Sequence, residues 1–157
     1  MLRGFPPVVA ADTHTLILGS FPGEASLTAA QYYAHPRNQF WRLLGAVLDE
    51  PLVELAYHAR LQRVLAHGCG IWDVLAACQR EGSLDTAIRH AQANDFVSLR
   101  AHAPHLLKVC FNGKTAGRFE AVLRAAGYAT LVLPSSSPAY ALLSFEQKLR
   151  AWRAILT

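Results

Sequence analysis

The residues that could do chemistry are concentrated in one stretch, between Leu16 and Trp41. An apolar run ends there at a turn of small residues, Gly19–Gly23, and a polar connection then leads to Tyr32, Tyr33, His35 and Asn38. A buried strand that ends in a tight loop beside polar and aromatic side chains commonly forms a pocket at the carboxyl edge of a parallel sheet. We therefore predict a binding pocket here, which the rest of the chain positions.

Two glycine-containing segments lack the spacing that phosphate binding requires. Gly113-Lys114-Thr115 resembles the end of a P-loop, but Lys108 stands where that motif needs its first glycine. We interpret Asn112-Gly113 instead as a turn into a helix. The glycines of Gly19–Gly23 do not form the dinucleotide fingerprint.

Other reactive residues are also poorly spaced for catalysis or metal binding. Ser135–Ser137 lack the G-x-S-x-G setting of a nucleophile elbow. His102 and His105 have the spacing of two metal ligands on a helix, but Pro104 interrupts the helix between them. Three cysteines without CxxC spacing indicate reduced thiols: Cys69, Cys78 and Cys110. The sequence thus predicts neither a metal nor a cofactor.

Composition indicates one globular domain spanning residues 1–157. The chain is 52% hydrophobic and 17% charged, which argues against disorder. It contains no 18-residue apolar run and no signal-peptide pattern, so we expect a soluble, cytoplasmic protein, and a monomer. The net charge of +4 permits a polyanionic partner without requiring one.

Apolar strand patterns alternate with helical patterns along the chain. Four strands are predicted, at Thr15–Gly19, Ile71–Leu75, Leu106–Phe111 and Thr130–Leu133. One helix is predicted to begin at about Asn38, and a second covers Val53–Ala66. A loop at Gln79–Asp85 is followed by a short helical region that ends at about Ala101. A further helix shares one apolar face among Phe119, Val122, Leu123 and Ala126. This order predicts an α/β fold with a mostly parallel four-stranded sheet covered by helices on both faces.

The last predicted helix covers about Ser144–Leu156. Its expected buried residues are Phe145, Leu149, Trp152 and Leu156. The residues expected to point outward are Lys148, Arg150 and Arg153.

Four segments together resemble the uracil-DNA glycosylase superfamily, and within it the hypoxanthine-DNA glycosylase branch: GSFPG, QYYAHPRNQFW, GIWDV and LPSSSP. The resemblance extends from about Phe5 to the last helix, and the YYAHPRNxFW block is its most specific part. It implies a three-layer α/β/α fold with the active site at the carboxyl ends of the strands. It also implies a monofunctional DNA glycosylase of base excision repair, which hydrolyses the N-glycosidic bond of deaminated bases. Hypoxanthine is the first expected substrate, with uracil and xanthine as further candidates.

Such a reaction sets clear demands on the site. The target nucleotide must be flipped out of the base stack, which costs a few kcal/mol. Stacking on an aromatic side chain recovers roughly 1–3 kcal/mol of this cost. Fixed backbone N–H donors best stabilise the negative charge of the departing base. One water molecule must also reach the anomeric carbon, and none of this requires a metal.

The resemblance assigns Asn38 and Tyr33 the central roles. Asn38 matches the asparagine on which the branch relies, and its carbonyl oxygen could orient the attacking water. Asn38 could equally cap the helix that follows it, since asparagine is a favoured cap, and both roles are compatible. Tyr33 matches the aromatic residue that stacks on the flipped base, and Tyr32 is the alternative. A purely structural role for both tyrosines also remains open.

The first loop and Asp73 are the expected base-binding groups. Residues Ser20–Gly23, following Gly19, would supply backbone donors, although a plain turn would explain them nearly as well. Uracil-cleaving relatives often carry Asp or Asn in this loop, where the chain has Ser20 and Phe21. The usual water-activating side chain is therefore missing from the loop, and Asn38 is expected to take its role. Asp73 stands where those relatives have an asparagine that contacts the base edge. A carboxylate could accept the ring N–H of hypoxanthine, whereas an exposed or helix-capping Asp73 would take no part.

The fourth strand is followed by the residues expected to hold DNA. Ser135, Ser136 and Ser137 match a loop that contacts phosphates and enters the minor groove, or form a Ser/Pro-rich turn. Tyr140 stands where relatives often have asparagine, which leaves open the residue that fills the gap in the duplex. Further phosphate contacts are expected from Arg37 and Lys114, unless both are solvated surface charges.

Three other functions remain open at this point. The same fold could act mainly on uracil in mismatches, or serve as a non-catalytic DNA-binding module. A hydrolase of free nucleosides is the third, and steep salt dependence of DNA binding would count against it.

Overall fold

The computed structural model describes residues 1–157. Its elements, in chain order, are β1 (Leu2–Arg3), β2 (Thr15–Gly19), α1 (Glu24–Ala29), α2 (Phe40–Leu48), α3 (Tyr57–Ala66), β3 (Cys69–Asp73), β4 (Leu75–Gln79), β5 (Arg89–Ala93), α4 (Leu99–His102), β6 (Lys108–Asn112), α5 (Lys114–Gly117), α6 (Glu120–Ala125), β7 (Ala129–Leu133) and α7 (Phe145–Trp152). Short 3₁₀ segments occupy Leu52–Glu54, Asp85–Ala87 and Arg153–Leu156. None of the helices is both long enough and apolar enough to cross a membrane.

The central sheet confirms the predicted four parallel strands. Its order is β3-β2-β6-β7, and every neighbouring pair is parallel. Gly19 pairs with Asp73, and Asn112 pairs with Leu133. The carboxyl ends of all four strands therefore lie along one edge of the sheet, as the predicted pocket requires.

Alternation along the strands separates two hydrophobic cores. Ile17, Ile71 and Cys110 are buried in one core with the apolar faces of α2, α3 and α7. Leu16, Leu18, Val109 and Phe111 are buried in the other, together with residues of α4, α5 and α6. Burial on both faces confirms the three-layer fold and explains why these strands are continuously apolar.

A second, antiparallel sheet was not predicted. It has the order β1-β4-β5 and is formed after the chain leaves the central sheet beyond Asp73. The strand predicted at Ile71–Leu75 corresponds to β3, which ends at Asp73, and Leu75 already belongs to β4. The helical region predicted to lead to Ala101 is wrong for residues 89–93, which form β5, and only α4 at its end is α-helical. All five residues of β5 are exposed, and none of them is β-branched or a Phe, Tyr or Trp, so its sequence carries no strand pattern.

The last helix differs from its prediction at two positions. Lys148 was expected to point outward but is only 2% exposed, and Leu156 was expected to be buried but is 55% exposed. Lys148 follows Phe145 by three residues and precedes Trp152 by four, so it lies on the buried stripe of α7. The α-helix ends at Trp152, and the chain continues as a 3₁₀ segment. Because a 3₁₀ helix has fewer residues per turn than an α-helix, Leu156 no longer lies on the buried face.

Two other helices also differ from prediction. The Val53–Ala66 pattern is divided into a 3₁₀ segment and α3. Val122, expected on the buried face, is 55% exposed because α6 spans only six residues and buries Leu123 alone.

Candidate active site

The carboxyl edge of the central sheet opens into a cleft of about 860 Å³. The cleft is lined by almost all the residues predicted for the site: Gly19, Ser20, Phe21, Pro22, Gly23, Tyr33, Asn38, Asp73, Lys114, Ser135, Ser136, Ser137 and Tyr140. Arg37 is exposed and does not line the cleft. Its predicted contact with a DNA phosphate would therefore lie outside the cleft.

Gly19 ends β2 where two functional groups approach its backbone closely. A Cβ atom at this position would lie 2.6 Å from Asp73 Oδ1 and 2.6 Å from the hydroxyl oxygen of Tyr33. Real Cβ atoms do not tolerate such contacts, so only glycine allows both polar groups to converge here. The first loop then continues with Phe21 and Gly23, whose backbone N–H groups donate no hydrogen bond within the protein.

Asp73 ends β3 and is almost completely buried in the cleft wall, with 4% of its surface exposed. Burial raises the pKa of its carboxyl group to about 7, with a smaller contribution from the nearby negative charge of Asp85. Its Oδ2 atom is buried without a hydrogen-bond partner. A buried carboxyl oxygen left unpaired is costly, so it is a natural contact for a ligand that donates a hydrogen bond.

Tyr33 and Phe40 form a stacked aromatic pair beside the cleft. Their ring centroids are 3.7 Å apart, and the planes differ by 11°. Tyr33 adopts a left-handed backbone conformation with φ of 53°, which is uncommon for a non-glycine residue and is often found at functional sites. Tyr32, the alternative stacking residue, is 4% exposed and donates its hydroxyl to the carbonyl of Pro6. Tyr33 is therefore the better placed of the two.

Asn38 is held by its carbonyl oxygen. Oδ1 accepts the backbone N–H of Phe40 at 3.0 Å and the hydroxyl of Ser136 at 2.8 Å. Because a backbone N–H can only donate, the first contact fixes which side-chain atom is the oxygen. Both lone pairs of Oδ1 are thus in use, and the Nδ2 amide is the group without a partner in the protein. The contact with Phe40 resembles that of a helix cap, although the N-cap residue of α2 is Gln39, whose side chain makes no cap hydrogen bond.

Asn112 is the main residue that the sequence analysis missed, since we interpreted it as part of a turn. It ends β6 and is 9% exposed. Its Nδ2 donates to the Ser136 hydroxyl at 2.9 Å and to the Tyr33 hydroxyl at 3.3 Å, and its Oδ1 accepts the Ser136 backbone N–H at 2.9 Å. Asn112 thereby connects the stacking residue with Ser136 and Asn38. Its place at the end of a predicted parallel strand was the available signal.

The loop after β7 is shaped by its own serines. The Ser135 hydroxyl accepts the N–H of Ser137 at 3.1 Å, and the Ser137 hydroxyl accepts the N–H of Ala139 at 3.1 Å. Gly113, with φ of 95°, starts α5 beside this loop, and a Cβ there would lie 3.1 Å from Ser135 Cβ. The turn interpretation of Gly113 is confirmed, and Lys114 is exposed at the cleft next to the serines.

The connection between β4 and β5 contacts the first loop from the other side. The Ser20 hydroxyl donates to Asp85 Oδ1 at 2.8 Å, and the Glu24 N–H donates to the Ser83 hydroxyl at 2.9 Å. Arg80 donates to the carbonyl of Pro22 at 2.6 Å. This connection was predicted as a loop, but its role in holding Ser20–Glu24 had no signal in the sequence.

Comparisons with known proteins identify the family of the chain. The family model described as the uracil DNA glycosylase superfamily matches residues 6–156. A protein of Methanosarcina barkeri named hypoxanthine DNA glycosylase is 48% identical over 137 residues, covering 87% of each chain. One of the same name from Methanosarcina acetivorans is 44% identical over 153 residues, covering 98% of this chain and 96% of the relative.

Structural comparison gives the same result. A solution NMR structure of a Methanosarcina acetivorans protein, described as a candidate uracil DNA glycosylase, has a TM-score of 0.87. It is 42% identical in sequence, and the match covers 99% of this chain and 98% of the other. The chain is a DNA glycosylase, and its fold is that of the uracil DNA glycosylases. The chain belongs to the uracil DNA glycosylase superfamily, which confirms the resemblance found in the sequence.

Proposed function

We propose that this DNA glycosylase removes deaminated bases from DNA, with hypoxanthine as its preferred substrate. The observation that carries removal of a deaminated base is the buried Asp73 carboxyl with an unpaired Oδ2, which suits the ring N–H that hypoxanthine and uracil both present. The two Methanosarcina relatives named hypoxanthine DNA glycosylase support hypoxanthine as the preferred substrate. Base excision repair is the process that this reaction would serve.

Asp73 would bind the edge of the flipped base. Hypoxanthine presents a ring N–H beside a carbonyl, and an ionised carboxylate accepts the N–H. Because the pKa of Asp73 is raised to about 7, a protonated form is also present near neutral pH. That form offers one acceptor to the N–H and one donor to the carbonyl, which matches both groups of the base.

Tyr33 would stack on the flipped base, with its other face supported by Phe40. Such stacking contributes roughly 1–3 kcal/mol per base. Because the Phe40 ring fixes the Tyr33 ring before the nucleotide arrives, little side-chain entropy is lost on binding. The backbone N–H groups of Phe21 and Gly23 remain available as donors to the departing base, whose negative charge develops as the bond breaks.

Asn38 would position the attacking water or the sugar. The carbonyl oxygen is already occupied by Phe40 and Ser136, so we now assign the contact to the free Nδ2 amide. An amide N–H₂ donates and cannot remove a proton, so its contribution is orientation. Ser136 and Asn112 keep the Asn38 side chain in one orientation.

The test is a strand-scission assay with duplexes that each carry one hypoxanthine, uracil, xanthine or mismatched thymine. After incubation in EDTA, hot alkali cleaves the DNA at abasic sites. We expect scission at hypoxanthine to be fastest. Scission at uracil alone would instead favour a mismatch-directed uracil enzyme, the activity named for a Schizosaccharomyces pombe relative that is 29% identical over 96 residues. DNA binding without scission at any base would leave only a non-catalytic module.

Two substitutions of Asn38 separate its catalytic role from its capping role. Asn38→Ala removes both, whereas Asn38→Ser keeps an acceptor for the Phe40 N–H and removes the amide. We expect both variants to lose about 100-fold in single-turnover rate, with a lower Tm for Asn38→Ala alone. Gln92→Ala, which removes an exposed carboxamide on β5, serves as the control and keeps full activity. Full activity of Asn38→Ser would show that Asn38 only caps the helix.

A further inference from the structure

Lys148 is the one lysine buried in the protein. It lies on α7 with 2% of its surface exposed. Its ammonium donates to Gln39 Oε1 at 2.9 Å and to the carbonyl oxygen of Ser137 at 3.5 Å. It also lies 5.3 Å from the centre of the Tyr140 ring. Lys148 thus connects the residue that follows Asn38 with both ends of the Ser137–Tyr140 segment.

The Lys148 ammonium has no carboxylate partner. The ion pairs of the protein join Glu50 to Arg63 and His67, and Glu120 to Arg124. Amide oxygens and an aromatic face compensate only part of the cost of burying a charge. Burial correspondingly lowers the pKa of Lys148. An uncompensated buried cation of this kind is stabilised when an anion binds near it.

The surroundings of Lys148 indicate where that anion would bind. Ser137 and Tyr140, which contact Lys148 on its inner side, also line the cleft. Gln39 donates its backbone N–H to the carbonyl of Ser136 at 2.9 Å, which ties the same loop to Asn38. The exposed Lys114 also lines the cleft, and Gly113 before it lies close to Ser135, so a second positive charge is present at the cleft near the serine loop.

We propose that Lys148 is a positioning residue for the DNA backbone, which fixes the serine loop against Gln39 and supplies positive charge for the phosphate beside the flipped nucleotide. That the anion is a DNA phosphate rests on the proposed function. Lys148 does not need to contact that phosphate directly, because the electrostatic attraction acts through the low-dielectric loop.

The experiment measures binding of a hypoxanthine-containing duplex between about 50 and about 300 mM salt. Lys148→Met removes the charge and keeps the length of the side chain. We expect binding to weaken about tenfold at the lowest salt, and the slope of log K against log salt to decrease by about 1. Lys148→Gln, which retains a donor for Gln39, should give the same change of slope and covers the case in which the methionine variant folds poorly. The thermal stability of Lys148→Met should equal or exceed that of the parent, since a buried charge is replaced by an apolar group.

Arg150→Met is the matched control. Arg150 is exposed on the same helix and makes no hydrogen bond, so its loss removes one charge without touching the loop. It should leave the slope close to that of the parent. An equal change of slope in Arg150→Met, or an unchanged slope in both Lys148 variants, would overturn the proposal.

The outcome is separable from the proposed function. Slopes can be measured with undamaged duplex as well, and they do not depend on which base is excised. A parent protein that cleaves at no base but shows the expected Lys148 effect would contradict the substrate assignment alone. Normal cleavage with a Lys148-independent slope would contradict only the role of Lys148.

Discussion

Replacing Asp73 by asparagine should stabilise the protein, and the gain should grow with pH. The carboxyl group ends β3 in a nearly fully buried position, and burial raises its pKa from 3.8 to about 7. Below about pH 4 the group is protonated in both the folded and the unfolded chain. Between about pH 4 and pH 7 the folded chain retains a proton that the unfolded chain has lost, so stability decreases as the pH rises. Above about pH 7 the loss is complete.

The size of this effect follows from the two pKa values. The interval from 3.8 to about 7 corresponds to about 4 kcal/mol of lost stability at pH 8, and to about 1.5 kcal/mol at pH 5. Asparagine has nearly the same shape and carries no charge at any pH. For a domain of this size, 1 kcal/mol corresponds to about 2–4 °C, so Asp73→Asn should raise Tm by about 10 °C at pH 8 and by less than half of that at pH 5.

Thermal unfolding followed by circular dichroism at both pH values measures this difference. Asp12→Asn is the control because Asp12 is exposed, and it should shift Tm equally little at pH 5 and pH 8. An equal gain for Asp73→Asn at both pH values would refute the reasoning, because the gain would then be unrelated to ionisation. A loss of stability at pH 8 would refute it as well, since it would mean that the carboxylate has a favourable partner in the folded protein.

Two further predictions concern the geometry of the cleft. Gly19→Ala places a methyl group 2.6 Å from Asp73 Oδ1, so we expect the carboxyl group to be displaced. Single-turnover excision should fall at least tenfold, while binding of undamaged duplex DNA should change little. Unchanged excision would show that Asp73 is not needed in its present position. Ser136→Ala removes the hydroxyl that donates to Asn38, so excision should fall about tenfold and Tm should decrease by about 3–6 °C. Ser98→Ala is the control, because Ser98 lies near α4 and its hydroxyl donates only to the carbonyl of Asp95. This control should shift Tm by no more than about 1–2 °C.

The central sheet was predictable because three of its four strands, β2, β3 and β6, are buried on both faces. Segments such as Thr15–Gly19 carry continuous apolar runs, and helical patterns whose apolar residues pack against the sheet lie between most of the strands. Parallel strands joined by helices can be recognised from such alternation. The second sheet had no comparable signal, since β5 is exposed at every position and is formed only through its pairing with β4.

The place of the candidate site was predictable from the strand ends, and its residues were predictable from the resemblance to the uracil-DNA glycosylase superfamily. Gly19, Tyr33, Asn38 and Asp73 follow strands or precede a helix, and the structure brings them into one cleft. Hydrogen-bond partners were not predictable, because Asn112 and Asn38 are joined through Ser136, which is distant from both in sequence. The identity of the free atom of Asn38 depends on those partners.

Lys148 shows the limit of periodicity most clearly. Its position on the Phe145–Trp152 stripe indicates burial, whereas its charge indicates exposure, and the sequence analysis followed the charge. The choice is decided by Gln39 and Ser137, which accept hydrogen bonds from the ammonium inside the protein. Sequence periodicity describes a helix face and contains no information about acceptors on other elements.

The most direct test of the account is the single-turnover rate of base removal from one duplex sequence that carries hypoxanthine or uracil at the same position. We expect the parent protein to remove hypoxanthine faster than uracil. We also expect the hypoxanthine rate to decrease as the pH rises above about 7, where Asp73 loses its proton. Removal of uracil with no removal of hypoxanthine would contradict the role assigned to Asp73 and the substrate proposed for this cleft.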